Sequence, residues 1–326
     1  MLVRWIAPLD TLSAFAVVWV CASASFGQSR LFSRVMPADS MSSAPAAVGP
    51  ETAPAGQSGQ DEEGGIRDNS FLLEEAYNQE PGVVQHIFNF VPAWDASRGV
   101  RTRSFDFVFT QEWPVFGQRH QFSYTLPMHW LRESTGGEAW EGQGFGDMLL
   151  NYRLQVWNGE DRQPAFAPRF SVILPTGDER DGLGNGEVGY QVNLPMSWEF
   201  ERWICHANAG LTVVPGVSVG VHPEIPFSGR TLEGYNLGCS VIRKARPFFH
   251  LMLETVALWD EENEWSGALD HHFAFILSPG FRWAPYTEGS TQWVVGAAVP
   301  VGLSRDAPDI AAFLYMSFEH RFRPER

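Results

Sequence analysis

The chain has 326 residues, with 23 Lys+Arg against 38 Asp+Glu and a formal net charge of −15. Apolar residues make up 44% and aromatic residues 13%, which excludes disorder over most of the length, while the negative charge excludes the basic stripe of a nucleic-acid binder. After the first two dozen residues no apolar run of about 18 residues occurs, so a helical membrane bundle is excluded and both a soluble domain and a membrane β-barrel remain.

At the N-terminus Arg4 is followed by an interrupted apolar stretch, an apolar run over residues 12–21, and Ala22-Ser23-Ala24. A basic start, a short apolar centre and small residues at the end describe a secretory signal peptide over residues 1–24, so the chain is expected to be exported. Residues 25–67 are rich in Ser, Ala, Pro and Gly and read as a disordered linker, because they bury too little apolar surface to offset their ordering entropy. The barrel unit is then expected over residues 68–326. Asn69 or Ser70 can cap a short helix over 69–80, with Glu74 and Glu75 early in it and Pro81-Gly82 ending it.

From Val83 onward the chain is a series of segments with period-2 alternation, the strand signal. The cleanest sets Val188, Tyr190, Val192, Leu194, Met196 and Trp198 on one face against Gly189, Gln191, Asn193, Pro195 and Ser197 on the other. About twelve such strands can be counted, an even number as single-chain bacterial barrels require. Short connections near 116–118, 158–160, 201–202, 244–246 and 288–290 alternate with longer ones near 133–144, 176–186, 215–231 and 260–270. That rhythm predicts an all-β fold: an up-and-down antiparallel transmembrane β-barrel in the bacterial outer membrane, with tight periplasmic turns and longer outer loops. The polar faces carry Gly, Ser, Asn and Gln with sparse charge, closer to a hydrated lumen than to a solvated sandwich face. Strands of about ten residues also suit a tilted membrane crossing.

The last strand places Leu314, Met316, Phe318 and Phe322 on one face, interrupted by His320. A final strand ending near an aromatic resembles the signal read by the barrel-assembly machinery, here followed by the four extra residues 323–326. Trp113, Trp130, Trp157, Trp198, Trp203, Trp259 and Trp283 fall near strand ends, where aromatic girdles sit at the lipid interfaces.

Several stretches resemble the bacterial family of the MetA pathway of phenol degradation. They are residues 69–88 (NSFLLEEAYNQEPGVVQHIF), Gly144-Phe145-Gly146-Asp147 before the strand 148–153, and Leu174-Pro175-Thr176-Gly177 with Gly182-Leu183-Gly184-Asn185-Gly186. Ser278-Pro279-Gly280-Phe281-Arg282 is a weaker fourth. The resemblance covers roughly residues 69–322 and implies an outer-membrane barrel, a channel for passive passage of small hydrophobic or aromatic compounds. It supplies no catalytic residue. The alternative is a structural or surface-interaction barrel with a closed lumen; an outer-membrane hydrolase is a third reading.

The segment 182–186 leads into a strand and not a helix, so it reads as a loop needing positive φ and not as a phosphate cradle. Asp178, Glu179, Asp181 and Glu187 beside it lack the ligand spacing of a calcium loop. His271 and His272 are adjacent strand residues that face opposite ways, so no metal site is expected there. His129 shares a face with Ser123 and Thr125, the arrangement a hydrolase would need, but without a catalytic signature. No catalytic residue, metal or cofactor is therefore assigned. Charge costs about 2–4 kcal/mol on the lipid face at midplane, so Asp106, Asp147, Arg153, Arg169, Glu254, Arg282, Glu319 and Arg321 are placed in the lumen together with His129. They read either as an ion-pair network filling a narrow barrel or as a constriction that touches solute. Cys205 and Cys239 lie on consecutive strands and would stand nearly opposite in a symmetric hairpin. That leaves a cross-strand disulfide or two small apolar residues facing lipid.

Overall fold

The computed structural model describes residues 65–66, 68–96, 100–135, 138–159, 163–179, 181–218, 229–263 and 269–322. The expected signal peptide and almost all of the expected linker lie outside the described residues. Twelve antiparallel strands follow one another around a closed barrel. They are β1 (Val83–Asp95), β2 (Val100–Pro114), β3 (His120–Thr135), β4 (Glu138–Phe145, Met148–Leu154 and Trp157–Asn158), β5 (Ala165–Phe166 and Arg169–Leu174) and β6 (Gly189–Asn193 and Met196–Glu199). The second half comprises β7 (Trp203–Val217), β8 (Arg230–Arg246), β9 (Phe249–Asn263), β10 (Leu269–Glu288), β11 (Thr291–Ala298 and Val301–Gly302) and β12 (Ile310–Ala311 and Phe313–Arg321). β12 closes on β1 from Val83↔Arg321 to Phe90↔Leu314. Pro168, Pro195 and Pro300 stand at breaks in β5, β6 and β11, where the missing N–H interrupts the ladder.

The alternation sorts side chains as the sequence predicts. On β2, Asp106, Val108, Thr110 and Glu112 are buried inside, while Phe105 is exposed outside. Leu237, Leu251, Leu253, Phe281 and Trp283 belong to the same outward apolar belt. So large a contiguous apolar outer surface has no stable place in water, and hydrocarbon is its natural surrounding.

Two expected loops are arms of hairpins. β3 and β4 stay paired as far as Thr135↔Glu138, so the connection expected over 133–144 is mostly strand, supported by Leu131 packing against Trp140. β9 and β10 likewise stay paired to Asn263↔Leu269. The hairpin of β7 and β8 is centred off its symmetric point, pairing Cys205 with Val241 and Cys239 with Ala207. The two cysteines are therefore diagonal neighbours and not opposite each other, and both are free thiols. Diagonal positions lie about 7–8 Å apart, beyond the usual bridging range.

The main departure concerns the segment before β1. No helix forms over residues 69–80; the chain there runs as bends and irregular backbone. It lies inside the barrel, where lumen side chains take up its backbone N–H and C=O groups and remove the advantage of helical self-pairing. Ile66, within the expected linker, is buried in the apolar cluster.

Candidate functional site

Residues 65–66 and 68–80 belong to a strap that curves through the lumen in the half of the barrel nearer the short turns. Its sequence has few intrinsic constraints beyond an apolar centre, Phe71-Leu72-Leu73, flanked by polar residues. The apolar centre packs into the wall: Phe71 stacks on Phe313 and Tyr315 with ring centroids 5.3 and 5.0 Å away. Gly296 and Gly238 provide the clearance. A Cβ at Gly296 would stand 2.3 Å from Phe71 Cζ, and one at Gly238 would stand 2.2 Å from Leu73 Cδ2.

Either side of that centre the strap is held by polar groups. Asp68 accepts hydrogen bonds from Tyr315 Oη at 2.5 Å, Ser317 Oγ at 2.5 Å and Gln85 Nε2 at 2.8 Å. Glu254 Oε1 accepts from Ser70 Oγ at 2.7 Å and from the N–H groups of Phe71 and Leu72 at 3.1 and 2.9 Å. Glu74 meets Arg169 in a forked ion pair at 2.5 Å, with each side chain 2% exposed. Asn193 Nδ2 adds a bond to the same carboxylate at 2.7 Å.

Beyond Glu74 the wall reads the strap's backbone. Asn208 Oδ1 accepts the Glu74 N–H at 2.8 Å while its Nδ2 donates to the Glu74 carbonyl at 2.9 Å. Gln155 Nε2 donates to the Ala76 carbonyl at 2.6 Å, and its Oε1 accepts the Asn78 N–H at 3.0 Å. Ser197 Oγ and Gln121 Oε1 accept the N–H groups of Ala76 and Gln79. Arg153 donates to the carbonyls of Glu75 and Tyr77, and Arg282 donates to those of Asp68 and Asn69.

Six of the nine residues expected in the lumen therefore hold the chain's own N-terminal strap. Arg153, Arg169, Glu254 and Arg282 do so as above; Glu319 shares a hydrogen bond with Gln79, and Arg321 lies 3.9 Å from Glu80. The other three do different work. Asp106 and His129 are cross-strand partners joined at 2.6 Å in the wall. Asp147 accepts the N–H groups of Gly177 and Asn185 at 3.0 and 2.8 Å, fastening the glycine loop to β4. Positive φ occurs in that loop at Gly182 and Gly186, as the sequence requires.

His271 and His272 point to opposite faces, with side chains 70% and 10% exposed. Among the described residues no cluster of His, Cys, Asp and Glu forms a metal centre. Sequence reasoning missed the strap's amide readers Asn208, Gln155, Gln121 and Ser197. Their only signal was that they fall on inward positions of their strands, which suits a wet lumen equally well.

Comparison with known proteins follows this geometry. Residues 92–214 match the family model described as "Putative MetA-pathway of phenol degradation". That match takes in the second and third of the stretches that carry the resemblance, residues 144–147 and 174–186. A crystal structure of an outer membrane channel from Pseudomonas putida F1 matches with a TM-score of 0.58 at 12% identity, covering 75% of this chain and 98% of that one. The transport unit of the autotransporter AIDA-I from Escherichia coli matches with a TM-score of 0.46 at 11% identity, over 78% and 95%. The translocator domain of the autotransporter NalP from Neisseria meningitidis gives 0.43 at 10% identity, over 75% and 90%. No curated protein matches the sequence. The chain thus has the fold of an outer-membrane channel.

Proposed function

We propose that this protein is an outer-membrane channel for the passive passage of small hydrophobic or aromatic solutes, closed in the described state by its own strap. The observation that carries this reading is the strap itself. A closed barrel whose inward charges grip a removable stretch of the same chain can be opened by moving that stretch, without rebuilding the wall. The apolar outer belt supports the membrane location, and the phenol-pathway description of the matching family supports the solute class. No covalent chemistry is assigned. The His129–Asp106 pair is the nearest approach to a catalytic arrangement, and no nucleophile is seen bonded to it.

A closed structural barrel is the second reading, favoured by the packing of Ile87, Val108 and Ile276 inside the wall at 0–2% exposure. Single-channel conductance and liposome swelling separate the two, using the full chain and a variant lacking residues 65–80. Conductance or uptake that rises on deletion supports the channel. A folded barrel that stays impermeable in both forms overturns it.

A further inference from the structure

The manner in which the wall holds the strap defines a ligand class. About half of the strap's bonds to the wall are made by its backbone groups, which every peptide carries, and the rest by side chains particular to the strap. Asn208 takes both the N–H and the C=O of Glu74, as a residue of an antiparallel neighbouring strand would. Gln155 bridges two residues further on, taking the Ala76 carbonyl and the Asn78 N–H. The N–H groups of Glu74, Ala76 and Asn78 are taken by Asn208, Ser197 and Gln155 on either side of a bend at Ala76, and that of Gln79 by Gln121. Three carboxamides and a hydroxyl thus do for the strap's backbone what a neighbouring chain would do. Two guanidiniums, Arg153 and Arg282, each bridge two strap carbonyls at either side of this track.

A lumen meant only to be filled needs no such arrangement, because side chains from opposite walls can pair with each other. A lumen that reads backbone can pair with a second peptide that follows the same path and carries the side chains its anchor points need. The anchor points here are an apolar side chain in the clearance left by Gly296 and an acidic one against Arg169.

We propose that the lumen is a binding track for polypeptide, of which the strap is the resident occupant, and that a vacated track takes a peptide in trans. The ligand is a peptide about as long as the strap, able to follow the same bent path, with an acidic side chain at the position of Glu74 and an apolar one three residues before it. This goes beyond solute passage and does not depend on conductance.

The test inserts a protease recognition sequence at the exposed Pro81-Gly82 turn of the full chain, cuts it in detergent, and adds a fluorescent synthetic peptide of residues 65–80. The cut strap is expected to co-elute with the barrel and to exchange with the labelled peptide, read by anisotropy. A peptide carrying Glu74→Gln should bind at least about tenfold more weakly, since a charge-assisted buried bond is lost. A peptide N-methylated at residues 74, 76 and 78 keeps every side chain and loses the bonded N–H groups, so it should fail to compete. Loss of the cut strap on gel filtration, or equal competition by the N-methylated peptide, overturns the proposal. Should the insertion prevent folding, hydrogen exchange on the unmodified chain decides instead: amides 74, 76 and 78 must exchange as slowly as those of β9, and fast exchange overturns the track.

Discussion

Replacing Glu74 by Gln tests the strap at its strongest single contact. The substitution keeps the shape of the side chain and removes the charge facing Arg169, whose guanidinium donates through Nε at 2.8 Å and Nη2 at 2.5 Å. Removing one member of a buried ion pair costs about 3–5 kcal/mol, because the remaining charge stays desolvated. That cost falls on the strap-bound state alone, since Arg169 regains water when the strap leaves. Taking the lower figure, the ratio of strap-out to strap-in chains should rise about a hundredfold. In planar bilayers this appears as a matching rise in open probability, and in hydrogen exchange as faster exchange of amides 71–79. The double variant Glu74→Gln/Arg169→Met removes the stranded charge and should recover much of the loss. An unchanged open probability together with unchanged protection in the single variant would refute the reasoning.

Three further outcomes follow from other parts of the molecule. Gly296→Ala and Gly238→Ala place a methyl group against Phe71 and Leu73, an overpacking of about 1–3 kcal/mol; limited proteolysis should cut the strap faster while the heat-modifiable mobility of the barrel is kept. Glu75 lies in the strap and not in a spanning strand, and burial, helped by the charge of Asp68 and opposed by Arg282 and Arg153, pushes its carboxyl up to about 7. The strap-bound state therefore holds a proton that the released state gives up, so strap retention should be strongest below about pH 4.5 and weaken as pH rises towards 7 and above. Glu75→Gln should flatten that part of the profile of amide exchange against pH, and a profile of the opposite slope would refute the assignment. Alkylation and mass spectrometry of the denatured, unreduced protein should label both Cys205 and Cys239, in keeping with their diagonal register.

The barrel was legible in the sequence because its determinants are local and periodic. Each strand alternates between lipid and lumen with period two, and Val188 to Trp198 shows that pattern without help from any neighbour. The inward placement of Arg153, Arg169, Glu254 and Arg282 was legible for the same reason, since the outer face excludes charge. Their task was not. Whether Arg169 faces water, solute or Glu74 depends on a segment 95 residues earlier in the chain, and no period carries that information. The strap was misread for a related reason: Asn69 or Ser70 before Phe71-Leu72-Leu73-Glu74-Glu75 satisfies the local rules for a capped helix. Those rules assume that backbone groups must find partners within the segment. Here Asn208, Gln155, Ser197 and Glu254 supply the partners from the wall, and tertiary contacts override local propensity.

A non-helical strap also does something a helix of the same length could not. It curves round the inside of the wall, so that Gln85 on β1 bonds both Asp68 near its start and Gln79 near its end. It meets Gln292 on β11 through Gly65, Ser317 on β12 through Asp68, Glu254 on β9 through Leu72, Asn208 on β7 through Glu74, and Gln121 on β3 through Gln79. A helical plug would fill the middle of the lumen and leave the wall's amides and charges to find water or one another. The strap instead joins widely separated strands through a single chain, so releasing any one anchor loosens a short stretch while the others still hold. Opening can then proceed in steps, beginning with whichever anchor a solute, a competing peptide or a change of pH disturbs first. Single-channel records should accordingly show graded sub-conductance levels. In the Glu74→Gln variant the level belonging to the stretch around Arg169 should gain the most occupancy, and a strictly two-level record would argue that the strap moves as one rigid piece.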